Sequence, residues 1–340
     1  MSHQYDHLSV IDPEFAEAIK NLPKEEHTED VAELRRRFDA MINMVNERDK
    51  DLFPPASELR IEDHKVPVKG GEITVRTMVP TPGGKSAGGP SPVLVNYHLG
   101  GFTVGTLEND KLWLQQICVE QQISVVDVDY RLAPEHPWPT PHEDAFTALK
   151  WVAEHPALLR ADLSKGFIVT GTSAGGHLTG SMALRARDDP FFEGRRLTGQ
   201  LLQVPATVHP LHVPEKFKSE LRSMDTIDMP GFAEKRLVTM VYGMPEFLKP
   251  DPHDPNCWPL LHPNHAGLPP AVFQLCGIDV LRDEGLLYEK LLREAGVKTK
   301  LHVYPGVPHG FHMVFTQITQ GKKYLQDRKD GIRWLLNGAK

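Results

Sequence analysis

The chain has 340 residues, of which 40% are hydrophobic, so it is long enough to bury a sizeable core. A formal net charge of −7, with 24% charged residues, argues against a nucleic-acid partner, which would need a basic surface. No apolar run approaches the ~18 residues of a membrane span, so we expect no spanning helix.

Three cysteines, Cys118, Cys257 and Cys276, lie far apart in the chain. Their odd number and the lack of a C-x-x-C motif argue against a disulfide framework or a metal site and favour a reducing compartment. The first residues, MSHQYDHLSV, lack the basic stretch and apolar core of a secretory signal. We therefore expect a cytoplasmic protein without a bound metal. The oligomeric state stays open, a homodimer included.

The amino-terminal part is predicted to be helical. Apolar side chains recur at helical spacing and form one face of a helix for which Thr28 is the candidate N-cap. These apolar positions are Val31, Leu34, Phe38, Met41, Ile42 and Val45. We expect this face to pack on the rest of the protein.

A hairpin and a loop come next. The segments HKVPVK and EITVRTMV flank Gly70 and Gly71, which predicts two short strands joined by a turn. The stretch PTPGGKSAGGPSP is rich in turn residues and directly precedes the strand VLVNYH. This arrangement favours an exposed loop over a linker between domains.

Strands then alternate with helices. Continuous apolar strands separated by amphipathic helices are typical of an α/β fold, in which helices cover both faces of a mostly parallel sheet. The predicted strands are VLVNYH, ISVVDVDY, GFIVTG, LTGQLLQV, PAVFQLCG and KLHVYPG. The predicted helices include EDAFTALKWVAEH, SAGGHLTGSMALRAR, DEGLLYEKLLREAG and a last helix that ends in GIRWLLNG.

Residues 205–270 interrupt this alternation. They hold twelve of the 29 prolines and no convincing strand, which predicts a cap of short helices and loops over the carboxyl edge of the sheet. Open α/β sheets bind their ligands at that edge. The Met and Phe side chains of the insertion either form the core of the cap or line a substrate pocket. The candidate pocket residues, here and in neighbouring loops, are Leu99, Phe102, Met240, Tyr242 and Phe311.

A candidate nucleophile follows the strand GFIVTG. The residues from Gly171 to Gly175 read G-x-S-x-G around Ser173, between a predicted strand and a predicted helix. That context is typical of a nucleophile elbow, in which glycines leave room for a strained turn that exposes the serine hydroxyl. An ordinary glycine-rich turn is the alternative.

A serine nucleophile needs a base that is oriented by an acid. In α/β-hydrolases these follow in the order serine, acid, histidine. Asp279 lies just beyond the strand PAVFQLCG, whereas Asp283 and Glu284 are better placed to open the next helix. His309 lies on the loop after KLHVYPG. Four other histidines lie inside that strand, too far beyond it, or before Asp279: His302, His312, His262 and His265.

Glycines also follow the strand VLVNYH, in the segment HLGGFTVG. A phosphate-binding loop would need G-K-[ST] and a dinucleotide fingerprint G-x-G-x-x-G, and Gly100, Gly101 and Gly105 supply neither. An oxyanion hole fits better, because glycines let backbone amides approach a ligand. The amide of Ala174, directly after the serine, would complete it.

These blocks resemble the hormone-sensitive-lipase-like group of α/β-hydrolases, which are mostly carboxylesterases. HLGGF resembles the family's H-G-G-G-F/W, GTSAGG its elbow and HGF its histidine loop; VDYRLAPEHPWPTPHEDA resembles its Y-R-L-A-P-E block, and GLPPAVFQLCGIDVLRDEG its D-x-L-R-D-E block. The resemblance implies an eight-stranded, mostly parallel sheet with a helical cap, and no cofactor. It also implies the triad Ser173, Asp279 and His309, with Gly100, Gly101 and Ala174 as the oxyanion hole.

The resemblance further implies four segments. Residues 1–60 would form helices of the cap, 61–204 the first part of the hydrolase core, 205–255 the cap insertion and 256–340 the rest of the core.

The function implied is that of a serine carboxylesterase for short- to medium-chain esters or an acylated small molecule. Thioester, lactone or amide hydrolysis and acyl transfer use the same machinery and stay open, as does a non-catalytic receptor. Leu99 departs from the family, which has a glycine there. We expect a working oxyanion hole with an altered acyl or alcohol preference.

Overall fold

A computed structural model of the chain describes residues 4–20, 22, 27–81, 89–227, 229, 232, 234–244 and 247–340. The loop predicted at PTPGGKSAGGPSP lies largely outside these residues. None of the helices formed by the described residues is long and apolar enough to cross a membrane.

The described residues form one sheet of eight strands in the order β1-β2-β4-β3-β5-β6-β7-β8. The strands are β1 (Leu59–Val68), β2 (Gly71–Pro80), β3 (Val93–Tyr97), β4 (Ser124–Asp129), β5 (Phe167–Thr172), β6 (Gly199–Gln203), β7 (Ala271–Ile278) and β8 (Thr299–Pro308). β2 pairs antiparallel with β1 and β4, and the remaining pairs are parallel. The predicted hairpin and the mostly parallel sheet are therefore confirmed.

The helices are α1 (Pro13–Ala18), α2 (Val31–Arg48), α3 (Lys111–Gln121), α4 (Thr140–Glu154), α5 (Ala174–Asp188), α6 (Ser223–Thr226), α7 (Lys235–Gly243), α8 (Arg282–Glu294), α9 (Phe311–Val314) and α10 (Thr319–Leu336). The predicted cap of α2 was wrong, because Asp30, not Thr28, accepts hydrogen bonds from the amides of Ala32 and Glu33. Asp30 directly precedes the first turn, where its carboxylate meets the unpaired N–H groups and the positive end of the helix dipole.

The central strands are buried on both faces, which explains why they are continuously apolar. Side chains alternate along each strand, so Val95 and Val169 pack toward α4 and α5, while Leu94 and Ile168 pack toward α3 and α10. The two helical layers hold the sheet from opposite sides and leave its carboxyl edge to the loops.

The insertion between β6 and β7 contains short helices, among them α6 and α7, and no strand among its described residues. Its contact with the core includes a hydrogen bond of 2.8 Å from the amide of Trp138 to the carbonyl of Leu248. Another joins the amide of Leu248 to the carbonyl of Val241 at 3.2 Å, which ties α7 to the same place.

Candidate active site

The predicted site residues follow the carboxyl ends of parallel strands. Ser173 follows β5, Asp279 follows β7, and His309 comes directly after β8. The glycines at 100 and 101 follow β3, the direct neighbour of β5. Because parallel strands end at the same edge, the sheet gathers all four segments on one side of the molecule.

Asp279 and His309 are in direct contact. Nδ1 of His309 lies 2.8 Å from Oδ2 of Asp279, and the other oxygen accepts the amide of Leu281 at 2.9 Å. Asp279 is only 1% exposed, so its carboxylate is shielded from solvent. A carboxylate accepts hydrogen bonds, so the ring proton lies on Nδ1 and Nε2 is left to face another group.

Ser173 lies at the junction of β5 and α5 in a strained conformation. Its φ of 57° and ψ of −114° are rare for a residue with a side chain. Two backbone hydrogen bonds of 2.8 Å hold the turn, one from its amide to the carbonyl of Gln203 and one from the amide of His177 to its own carbonyl. The surrounding strand and helix therefore impose the strain, as a nucleophile elbow requires.

The motif glycines are required by close backbone approach. A Cβ on Gly171 would lie 2.4 Å from the backbone of Gly175, and a Cβ on Gly175 would lie 1.8 Å from the carbonyl oxygen of Tyr97. Neither neighbour is a flexible side chain. The turn that exposes Ser173 is thus compatible only with glycine at these two positions.

We expect Gly175→Ala to disrupt the elbow, because the methyl group would overlap the carbonyl of Tyr97. The free energy of unfolding should fall by more than the typical ~1–3 kcal/mol of an overpacked core, and the activity should fall as well. Gly71→Ala is the matched control, since its Cβ would meet only the guanidinium of Arg131 at 3.7 Å. Thermal melting of both variants tests this; equal melting temperatures would contradict it.

The glycine loop turns sharply after β3. Gly100 has φ 130° and Gly101 φ 56°, and a Cβ on Gly100 would lie 1.9 Å from the carbonyl oxygen of Val104. Within the described part of the chain, the amides of Gly100 and Gly101 donate no hydrogen bond. Ala174 is the first residue of α5, where amides have no partner inside the helix. These three amides are therefore available to a ligand.

The Y-R-L-A-P-E block supports this loop. The hydroxyl of Tyr130 donates to the carbonyl of His98 at 2.7 Å, and the two rings stack with centroids 4.2 Å apart. From α2, Arg35 donates to the carbonyls of Thr103 and Ala133 and pairs with Glu135 at 2.7 Å. The loop is thereby held by the core on one side and by the amino-terminal helices on the other.

The five predicted pocket residues are all buried. Leu99 is 8% exposed, Phe102 0%, Met240 2%, Tyr242 5% and Phe311 0%. Phe102 and Tyr242 belong to an aromatic cluster, with ring centroids 6.1 Å apart, and Phe311 packs against Tyr324 at 5.7 Å. Pocket lining by these residues stays a prediction.

Sequence reasoning missed Val241 of α7. Its Cγ2 lies 3.3 Å from the position of a Cβ on Gly101, so the insertion meets the glycine loop through this side chain. The helical spacing of the apolar residues Val238, Val241 and Tyr242 indicates a buried face that includes Val241, but it does not indicate the partner that Val241 contacts.

Asp283 and Glu284 begin α8, as the sequence predicts. Asp283 is buried in an ion pair with Arg282 at 2.8 Å and also accepts the amides of Arg222 and Ser223. Its carboxylate is thus engaged in joining α8 to the insertion.

Glu284 is buried below the same edge and accepts the amides of Thr207 and Val208. Burial raises the pKa of its carboxyl from 4.5 to about 8, and the two amide hydrogen bonds offset only part of that effect. Glu284 therefore holds a proton in the folded protein at a pH where the unfolded chain has released it.

The folded protein binds this proton and the unfolded chain does not, so the free energy of unfolding falls as the pH rises from about 4.5 to about 8. Glu284→Gln keeps an oxygen for both amides but cannot ionise. Relative to the wild type, we expect the variant to gain a few kcal/mol of stability between pH 5 and pH 8. Denaturant unfolding of both proteins at each pH tests this, and parallel pH curves would rule it out.

Comparisons with known proteins agree with this fold. A profile of a family described as having the alpha/beta hydrolase fold matches residues 94–313. The chain is 34% identical to the versiconal hemiacetal acetate esterase of Dothistroma septosporum, over 88% of each protein. It is 38% identical to the carboxylesterase NlhH of Mycobacterium tuberculosis, over 77% of each. The crystal structure of a vibralactone cyclase superposes with a TM-score of 0.91 at 40% identity, covering 98% of this chain and 96% of that one.

Proposed function

The chain belongs to the hormone-sensitive-lipase-like family of α/β-hydrolases and is a carboxylic ester hydrolase, and from this we propose that it works through an acyl-enzyme on Ser173. The observation that carries the proposal is the 2.8 Å contact between His309 and the buried Asp279, at the edge where the strained, half-buried Ser173 lies.

His309 acts as the general base. Nε2 takes the hydroxyl proton of Ser173 as Oγ attacks the ester carbonyl, and the imidazolium then delivers that proton to the leaving alcohol. A water molecule then gives a proton to His309 and attacks the acyl carbon, and Oγ of Ser173 leaves with that proton, which releases the acid and restores the serine. Asp279 fixes the ring by accepting from Nδ1 and stabilises the positive charge that forms on it.

The amides of Gly100, Gly101 and Ala174 stabilise the oxyanion. Each tetrahedral intermediate places negative charge on the former carbonyl oxygen, and amides already fixed in position stabilise it without reorganising. One such donor is worth about 2.7–4 kcal/mol in comparable enzymes.

Residues 1–60 and 205–255 form the cap over this edge. Arg236 of α7 pairs with Glu29 at 3.0 Å, and the rings of Phe15 and Phe232 lie 5.5 Å apart, so the two segments contact each other. With Val241 against the glycine loop, the cap limits the size of the acyl group or alcohol. The substrate is accordingly a short- to medium-chain ester or an acylated small molecule.

Leu99 narrows the acyl site beside the oxyanion hole. It is not among the described non-glycine residues with positive φ, so a glycine there relieves no backbone strain and only removes the side chain. We expect Leu99→Gly to raise the ratio of octanoate to acetate kcat/KM about tenfold or more. Rates on nitrophenyl esters measure this, with the exposed Leu52→Gly as control; an unchanged ranking of chain lengths would refute it.

Ring closure is a second candidate, favoured by the 40% identity to a protein named as a cyclase. A hydroxyl within the acyl group, rather than water, would then take the acyl carbon from Ser173 and give a lactone. Turnover of a nitrophenyl 4-hydroxybutyrate distinguishes the two: hydrolysis gives the hydroxy acid and closure gives the lactone. The Ser173→Ala variant corrects for spontaneous closure.

Initial rates on nitrophenyl acetate, butyrate, octanoate and laurate test the main proposal. We expect turnover of the shorter chains. A wild type that turns over none of these and forms no covalent adduct with a fluorophosphonate would instead indicate a binding protein.

A further inference from the structure

Three buried side chains that the proposed reaction does not use meet directly beneath the glycine loop. Nε2 of His142 lies 2.9 Å from Nε2 of His177, and Sγ of Cys257 lies 4.0 Å and 3.8 Å from these two atoms. All three side chains are fully buried. They come from α4, from the first turn of α5 and from the segment that follows the insertion.

The triangle has the dimensions of a three-coordinate metal site. From the three separations, the point equidistant from the atoms lies about 2.1 Å from each, close to metal–imidazole lengths of about 2.0–2.1 Å and metal–thiolate lengths of about 2.3 Å. A hydrogen bond between the two imidazoles would account for their separation, but it would not account for the sulfur at the third vertex.

Aromatic side chains pack around the three ligand atoms. The ring of Phe102 stacks on His142 at 5.4 Å, Trp138 lies 4.3 Å from His142, and Trp258 lies 5.0 Å from His177. In the described part of the chain, no further histidine, cysteine or carboxylate joins the group. Zinc takes four ligands in structural sites, whereas a soft monovalent ion accepts two nitrogens and one sulfur.

Metal binding at this cluster requires a proton to leave. The thiolate is the form of cysteine that binds a metal, so an ion that binds Sγ of Cys257 displaces the thiol proton to solvent. Each imidazole binds in its neutral form through Nε2.

We propose that His142, His177 and Cys257 bind one Cu(I) ion through two nitrogens and a thiolate. A surface cleft of about 320 Å³ lies next to residues that adjoin the cluster, and its lining includes Arg185 and Asn256. Arg185 donates to the carbonyl of His142 at 3.3 Å, and Asn256 directly precedes Cys257.

The experiment measures Cu(I) retention under anaerobic conditions against a coloured Cu(I) chelator. The wild type should retain one equivalent, and X-ray absorption should show one sulfur and two nitrogen neighbours. Cys257→Ala should weaken retention by more than the 10–100-fold that loss of an outer-shell partner costs. Cys118→Ala and Cys276→Ala are the matched controls, because both residues are free, buried cysteines outside the cluster, and they should retain copper like the wild type.

Three results would overturn the proposal: no retention by the folded wild type, equal retention by Cys257→Ala, or a copper environment without sulfur. Tighter binding of Zn(II) than of Cu(I) by the same three residues would overturn the choice of ion. Should Cys257→Ala fail to fold, Cys257→Ser serves in its place, since the hydroxyl keeps the size of the side chain but is a poor ligand for soft ions.

Discussion

Replacing Ser173 with alanine should reduce kcat on nitrophenyl butyrate by roughly 10⁶-fold, because no acyl-enzyme can form without Oγ. The strained turn is compatible with any small side chain, and the backbone bonds of Ser173 to Gln203 and His177 do not involve the hydroxyl. The variant should therefore fold and melt like the wild type.

The control for Ser173→Ala is Ser164→Ala, which removes a hydroxyl bonded to Asp162 on a distant exposed loop. It should retain full activity. Residual turnover by Ser173→Ala above a few per cent of the wild type, with contaminating esterase excluded by a second purification, would contradict the proposed nucleophile.

Replacing Asp279 with asparagine should lower kcat by about 10⁴-fold. An amide can donate to Nδ1, which favours the imidazole tautomer with its proton on Nε2, and that nitrogen then cannot accept the proton of Ser173. Asparagine Oδ1 still accepts the amide of Leu281, so stability should change little compared with activity.

Asp283→Asn is the matched comparison for Asp279→Asn, because Asp283 is an equally buried acid four residues away. Its loss breaks the ion pair with Arg282, so we expect a clear drop in melting temperature with the rate per folded molecule retained. The reverse pattern, an active Asp279→Asn and an inactive Asp283→Asn, would show that the acid is misassigned.

The sheet could be predicted because the apolar pattern of each strand and helix lies within its own short segment of the sequence. Strands such as β3 and β5 are buried on both faces, so their sequences are continuously apolar, and helices such as α8 carry a clear apolar stripe. With the strand ends placed, chain order singled out Ser173, Asp279 and His309 among several alternatives. The structure brings Asp279 and His309 into contact, and their roles stay predictions.

The remaining features depend on which distant segments meet. Met240 and Tyr242 were selected from α7 by residue type. Tyr242 lies against the ring of Phe102, but the side chain beside Gly101 is Val241. Helical spacing indicates the buried face of α7, but only the packing of the insertion decides which segment that face meets. The same holds for Cys257, which lies 80 residues from His177 and 115 from His142 in the chain, so its spacing gave no sign of a metal site.

Mapping the adduct of a fluorophosphonate probe by peptide mass spectrometry identifies the nucleophile. We expect a single adduct on Ser173, absent in Ser173→Ala and formed far more slowly in Asp279→Asn. An adduct on another residue, or an unlabelled wild type that still hydrolyses esters, would contradict it.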